Sequence, residues 1–284
     1  MLGLNHMQYV LIIGLLGVCL GSFINAWVWR SSNTEDVNQK KQNRDTKLSI
    51  LNGRSVCPDC RHLLAWRDLV PVLSWVSLKG KCRYCRQAIS AQYPAVELLT
   101  TALFIVSLLL WPFELSGFLA ISYFLLWLTF LVILIALSVY DIRYMLLPNK
   151  MVALAGIVTV LASGVHAVDS SQPNHILWAG IGALTFGGIF YLLYQVSAGA
   201  WIGGGDVKLG FVLGIWLASP LLVLFTIFLA SCLGLIVALA MSPWRHIDGK
   251  TAIPFGPMLM SATVMVFFIS KSAYFLDSMH LLGL

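Results

Sequence analysis

Two carboxylates in this chain stand where a carboxylate is costly. Asp141 and Asp206 lie at the ends of long apolar runs, and Asp206 closes the stretch Gly203, Gly204, Gly205, Asp206. An ionisable acid beside lipid marks a functional site by default. Two carboxylates in contact cannot both ionise cheaply, so one keeps its proton near neutral pH. Such a pair supplies one general acid and one general base, which together can activate a water. The three glycines leave the backbone free to bend and let a substrate come close. Pro148, a few residues beyond Asp141, also interrupts regular helix, and these breaks would let an extended peptide be held for attack. A plainer reading pairs Asp141 with Arg143 or Lys150, and has Asp206 cap a helix or pair with Lys208.

A second group of residues has metal-binding spacing. Cys57, Pro58, Asp59, Cys60 and Cys82, Arg83, Tyr84, Cys85 form two Cys-x-x-Cys knuckles with 21 residues between them. Four thiolates at that spacing suit zinc, and a segment of about 35 residues needs a staple of this kind because it cannot build a sufficient core. A redox Cys-x-x-Cys pair is the rival reading. With four thiols present, His62 is unnecessary as a ligand and reads as a surface histidine. Cys19 and Cys232 read as small buried apolar residues. Between the knuckles, Trp66, Leu69, Val70, Val72, Leu73, Trp75 and Val76 are expected to hold the module together and seat it on the membrane face.

The elements that must position these groups follow from composition. At 59% hydrophobic and 11% charged, the 284 residues are too apolar for a soluble domain. The fold class is an all-α polytopic membrane protein. Windows of apolar residues mark eight spans, at 8–29, 95–111, 117–140, 151–168, 176–196, 207–218, 220–241 and 254–276. The sixth is short, and with the seventh could form one broken or re-entrant element.

Charge gives the orientation. From Arg30 to Ser90 there are 12 Lys or Arg and 5 Asp or Glu, so the segment carries a net +7 out of the total of +6. Basic loops mark the cytoplasmic side, which places 30–94 inside, together with Arg143, Lys150, the turn before Lys208, Arg245 and Lys250. The loops at 112–116, 169–175 and 219 contain no Lys or Arg and are expected outside, as are both termini. Both aspartates then lie on the cytoplasmic face. The basic charge is explained by topology and gives no reason to expect nucleic acid. The division expected is a first helix at 1–29, a cytoplasmic linker and four-cysteine module at 30–94, and a membrane-embedded domain at 95–284, with 31–49 a flexible polar linker.

Other residues read more quietly. Glu97, just inside the second span, is either functional or placed where interfacial water reaches it. Glu114, Asp169 and Asp277 fall in outside loops, and His166, His175, His246 and His280 show no ligand spacing. Gly14, Gly17, Gly21 and Ser22 in the first span suit a close helix contact.

Taken in order, these motifs resemble a family. They are Gly21, Ser22, Phe23 and Asn25; the two knuckles with Trp66, Asp68, Leu69, Val70, Pro71, Ser74 and Trp75 between them; Tyr93, Pro94, Val96, Glu97, Leu98 and Leu99; Asp141 with Leu147, Pro148 and Asn149; Gly203, Gly205, Asp206 and Lys208; and Ile253, Pro254, Phe255, Gly256 and Pro257. The set is similar to the bacterial type IV prepilin peptidases, GxGD-type membrane aspartyl enzymes. The resemblance implies cleavage of prepilin or pseudopilin leaders on the cytoplasmic side of the inner membrane, with Asp141 and Asp206 activating water. It also implies N-methylation of the new terminus with S-adenosylmethionine, associated with the cysteine-bearing segment. No glycine fingerprint locates a pocket for that methyl donor.

Two other classes compete. A proton- or cation-coupled transporter would use the same aspartates beside a broken helix. A zinc-module membrane scaffold would need only the cysteines.

Overall fold

A backbone inside lipid must satisfy its polar groups within itself, and the long apolar runs do so as helices. The computed structural model describes residues 5–35, 55–241 and 253–271. Nine α-helices are present among them: α1 His6–Glu35, α2 Leu73–Ser77, α3 Gln92–Leu109, α4 Gly117–Tyr144, α5 Asn149–Asp169, α6 Asn174–Val196, α7 Gly204–Leu217, α8 Pro220–Met241 and α9 Gly256–Lys271. A single 3-10 turn at Trp66–Asp68 precedes α2, and the described residues contain no strand beyond two isolated bridges. The protein is an all-helical membrane protein. Six helices, α1, α3, α4, α5, α6 and α8, are long and apolar enough to cross a bilayer.

The two remaining expected spans are shorter. Helix α7 has 14 residues, and the apolar part of α9 covers Gly256–Ser270. Helices α7 and α8 are separate elements. Ala218 adopts a left-handed conformation (φ 50°) and Pro220 starts the next helix, so the short span ends by a cap rather than by a kink. Helix α1 runs on to Glu35, into what reads as linker. Linker residues 36–49, Arg245, Lys250, His246, His280 and Asp277 lie outside the described residues.

The chain divides into two compact units, Met1–Leu109 and Leu110–Leu284. In the first, α1 lies against α3 through the small residues the sequence singles out. A Cβ on Gly17 would come 2.9 Å from Thr101 Cα, and one on Gly21 would come 2.7 Å from Glu97 Cα. The backbones approach too closely there for any larger residue. The cysteine module connects these two helices.

In the second unit α4 is the central helix, buried along most of its length. Its flank holds an aromatic core in which Trp127 stacks on Phe267 at 4.4 Å and Phe130 on Trp216 at 4.7 Å. His166, which shows no ligand spacing in the sequence, is buried within α5 and stacked on Tyr123 at 4.8 Å. Helices α6 and α7 meet at Gly182 and Gly214, each of which leaves room only for the other's backbone.

Candidate active site

Asp141 occupies the last turn of α4. The helix ends there because Met145 turns left-handed (φ 51°) and its N–H closes on the Asp141 carbonyl at 2.8 Å. Pro148 then opens α5, as its fixed φ favours at a helix start. The Asp141 side chain is only 6% exposed. Its carboxylate accepts the backbone N–H of Gly256, the residue that starts α9. A Cβ at 256 would lie 2.6 Å from Asp141 Oδ2, so any side chain there displaces the carboxylate.

Asp206 sits in the first turn of α7, where an acid complements the helix dipole. Gly203 is the N-cap, and its N–H donates back to the Asp206 carboxylate, half of a capping box closed by the aspartate itself. None of Gly203, Gly204 and Gly205 has a positive φ. Their use is different: Gly203 caps, and Gly205 comes against Leu147, whose Cβ would be 3.1 Å from a side chain at 205. That contact joins the loop after Asp141 to the start of α7. Asp206 is near enough for its charge to act on Asp141. Lys208 is occupied elsewhere, its Nζ donating to Asn149 Oδ1 at 2.7 Å.

The site therefore consists of two carboxylates from α4 and α7, each receiving one backbone N–H from a glycine at a helix start. Chemically it can hold one proton between two acids and polarise a water. Gly256 stands out in the sequence only as part of a run. Nothing in a Phe-Gly-Pro triplet shows that its N–H reaches an acid on another helix.

The four cysteines, in the first unit, also converge. The ligand atoms of Cys57, Cys60, Cys82 and Cys85 all lie within 4.8 Å of one another, with Cys57 Sγ and Cys85 Sγ 4.0 Å apart. A tetrahedral ion with metal–sulfur bonds of about 2.3 Å needs sulfurs about 3.8 Å apart, so the cluster can hold a metal ion. The two knuckles repeat each other. Arg61 N–H closes on Cys57 O and Cys57 N–H on His62 O; Arg86 N–H closes on Cys82 O and Cys82 N–H on Gln87 O. Arg61 (φ 55°) and Arg86 (φ 62°) take the same left-handed position. Burial pushes the Cys57 thiol up to about 12. At Cys82 burial also acts upward, but the backbone N–H groups of Cys85 and Tyr84 outweigh it and hold the thiol down to about 7.

Asp68 braces this module. Its carboxylate accepts Arg83 Nε at 2.6 Å, Tyr84 Oη at 3.2 Å and the Ala65 N–H at 3.2 Å. Burial raises its proton affinity, yet these three donors win and hold it below the usual carboxylate range. His62 lies against the Tyr84 ring at 3.7 Å and is not one of the clustered ligands. The expected apolar cluster does not close on itself. Trp75 packs, with its Nε1 donating to Ile89 O, but Trp66 is 81% exposed and Leu69, Leu73 and Val76 are exposed too.

Comparison with known proteins assigns both units. The bacterial peptidase A24 N-terminal domain matches residues 15–111, and the type IV leader peptidase family matches residues 128–239. The leader peptide-processing enzyme for type 4 prepilin-like proteins of Escherichia coli O78:H11 is 34% identical over 253 residues, covering 86% of this chain and 87% of that protein. The chain belongs to the type IV leader peptidase family. A prepilin leader peptidase/N-methyltransferase of Pseudomonas aeruginosa is 31% identical, covering 91% of this chain and 89% of its own. One from Bacillus subtilis is 30% identical, covering 79% and 85%. No solved structure gives a significant match. Membership of the leader peptidase family disfavours the transporter and scaffold readings.

Proposed function

We propose that this protein cleaves the leader peptides of type IV prepilins or secretion pseudopilins and then methylates the new N-terminus, with Asp141 and Asp206 as the catalytic pair. The observation that carries the peptidase half is that two carboxylates from different helices, each anchored by a glycine N–H, lie near enough for the charge of Asp206 to act on Asp141. One carboxylate takes a proton from water as the water oxygen attacks the scissile carbonyl carbon. The other, protonated, donates to the carbonyl oxygen. As the tetrahedral intermediate collapses and the C–N bond breaks, the departing amine takes the proton that the first carboxylate removed from water, and the second carboxylate recovers its proton from the intermediate's hydroxyl. Gly203, Gly204 and Gly205 shape the backbone around Asp206.

The segment between α1 and α3 belongs to the methyltransferase half, with zinc on Cys57, Cys60, Cys82 and Cys85 as a structural ion. S-adenosylmethionine, when bound, supplies a sulfonium methyl group to the freed amine. The positive charge of the basic segment supports a topology with that module and both aspartates on the cytoplasmic face of the inner membrane and both termini outside. Nucleic acid has no part in the reaction.

The experiment is direct. Purified protein is mixed with a prepilin that carries its leader, beside Asp141→Asn and Asp206→Asn variants. Both variants are expected to lose cleavage, and retained cleavage by either one overturns the pair. Mass spectrometry of the mature product reads methylation as a shift of about 14 Da per methyl.

A further inference from the structure

The first unit contains a buried carboxylate that peptide cleavage leaves unused. Glu97, one turn into α3, is 6% exposed. Its Oε2 accepts the Val72 N–H at 2.7 Å, and the Ser22 hydroxyl on α1 donates to the same carboxylate. Both donors are neutral. No ion pair to this carboxylate is found among the described residues, and a buried carboxylate held only by neutral donors is in a costly position. Val72 adds to the oddity, holding φ 60°, ψ −52°. β-branched residues avoid that region, and strained backbone of this kind collects at functional sites.

Asn25 stands one turn beyond Ser22 on α1. Its Nδ2 donates to Tyr93 O at 3.1 Å and lies 3.4 Å from Gly21 O. Tyr93 is one turn before Glu97 on α3. Because the amide nitrogen is used on two carbonyls, Oδ1 is fixed as an acceptor, and it has no partner although Asn25 is only 5% exposed. Buried acceptors are nearly always satisfied, so an orphan of this kind asks what satisfies it.

The ligand chemistry follows from the inventory. Facing turns of α1 and α3 present a carboxylate and an amide oxygen, with Gly21 letting the two backbones meet. The site is rich in acceptors, poor in donors and negative. A primary ammonium is a compact cation with three donors on one nitrogen and matches it, whereas a guanidinium is planar and wants a fork of acceptors. A hard divalent cation would bring several of its own waters into this close helix contact, where a compact ammonium needs none.

We propose that Ser22, Asn25 and Glu97 form a binding site for a primary α-ammonium group, with Glu97 as its countercharge and Asn25 Oδ1 as its second acceptor. The inference rests on the methyltransferase reading, in which two such groups take part. One is on the amino-acid end of the methyl donor, and the other is the freshly cut N-terminus.

Binding to full-length protein in detergent tests it. S-adenosylhomocysteine is compared with its des-amino analogue, and a short peptide of mature pilin N-terminal sequence with its N-acetylated form, by titration calorimetry. The parent is expected to bind one amine-bearing ligand at least about tenfold tighter than its amine-free partner. Glu97→Gln is expected to shrink that preference to about twofold or less while the amine-free ligand binds as before, which also reports an intact fold. The ligand whose preference collapses identifies the source of the ammonium. No preference in the parent, or a preference unchanged in Glu97→Gln, overturns the site. Should Glu97→Gln bind neither form, Asn25→Ala decides: a weakened preference supports the site and an unchanged one overturns it. Unmethylated product from the parent enzyme sinks the methyltransferase reading instead, and is scored separately.

Discussion

The backbone N–H of Gly256 reaches the Asp141 carboxylate, and no side chain fits at 256 while that aspartate keeps its position. Helix α9 thus holds the acid of α4 by a backbone group. A Gly256→Ala variant must push the carboxylate aside. Displacement of a catalytic group by about 1 Å costs on the order of a hundredfold in rate. Leader cleavage by Gly256→Ala is therefore expected to fall about that far in kcat/KM, while the thermal midpoint moves by only a few degrees, because alanine favours helix. Parental cleavage in this variant would show that the carboxylate can work from elsewhere.

The contact between α6 and α7 supplies a second test. A Cβ on Gly182 meets the Gly214 carbonyl, so Gly182→Val must prise the helices apart. Overpacking of this sort costs about 1–3 kcal/mol. Because α7 carries Asp206 in its first turn, cleavage is expected to fall along with stability. Thermal unfolding in detergent and a prepilin assay on the same sample check both halves.

Asp68 gives a pH dependence. Its folded proton affinity lies below the unfolded value, so the stability it contributes is present above the unfolded carboxylate pKa of about 4 and is lost as pH falls through the folded one. Arg83 is partly exposed, so the effect is modest and weakens with salt. Acid titration of module stability between about pH 5 and pH 2, followed by Trp75 fluorescence, is expected to show this loss in the parent and to flatten in Asp68→Asn. An identical acid profile in Asp68→Asn would remove the carboxylate from the account.

For the cysteines the expected result is about one zinc per chain in carefully prepared protein, with less than about half an ion counting against the site. Cys57→Ser is expected to lower the content sharply and to open the module to proteolysis between 55 and 91. Chelation of the parent should reproduce that cleavage pattern.

The membrane fold was legible because apolar runs of twenty residues have few alternatives, and the eight runs correspond to eight helices. The shortness of α7 was legible too, but not its separation from α8, which rests on the left-handed turn at Ala218 that no residue preference announces. The aspartates and the knuckles stood out because acids beside lipid and paired thiols are rare. Gly256, Asp68 and Asn25 did not. Each acts through a hydrogen bond to a residue distant in sequence, and such a pairing leaves no local pattern. The module's apolar residues were legible by type only: Trp66, Leu73 and Val76 are exposed because α2 is too short to bury them within the module, and their expected seating on the membrane face is untouched by that exposure.

Helix α7 has one more consequence. Fourteen residues rise about 21 Å, some 9 Å less than a hydrocarbon layer of about 30 Å. Most of its length is buried against neighbouring helices, so the shortfall is met inside the bundle rather than by lipid alone. Asp206 stands in the first turn of this short helix, with Gly203 and Trp201 just before it. On the proposed reading, a helix this short keeps the half-buried Asp206 carboxylate close to the end of the bundle that water reaches.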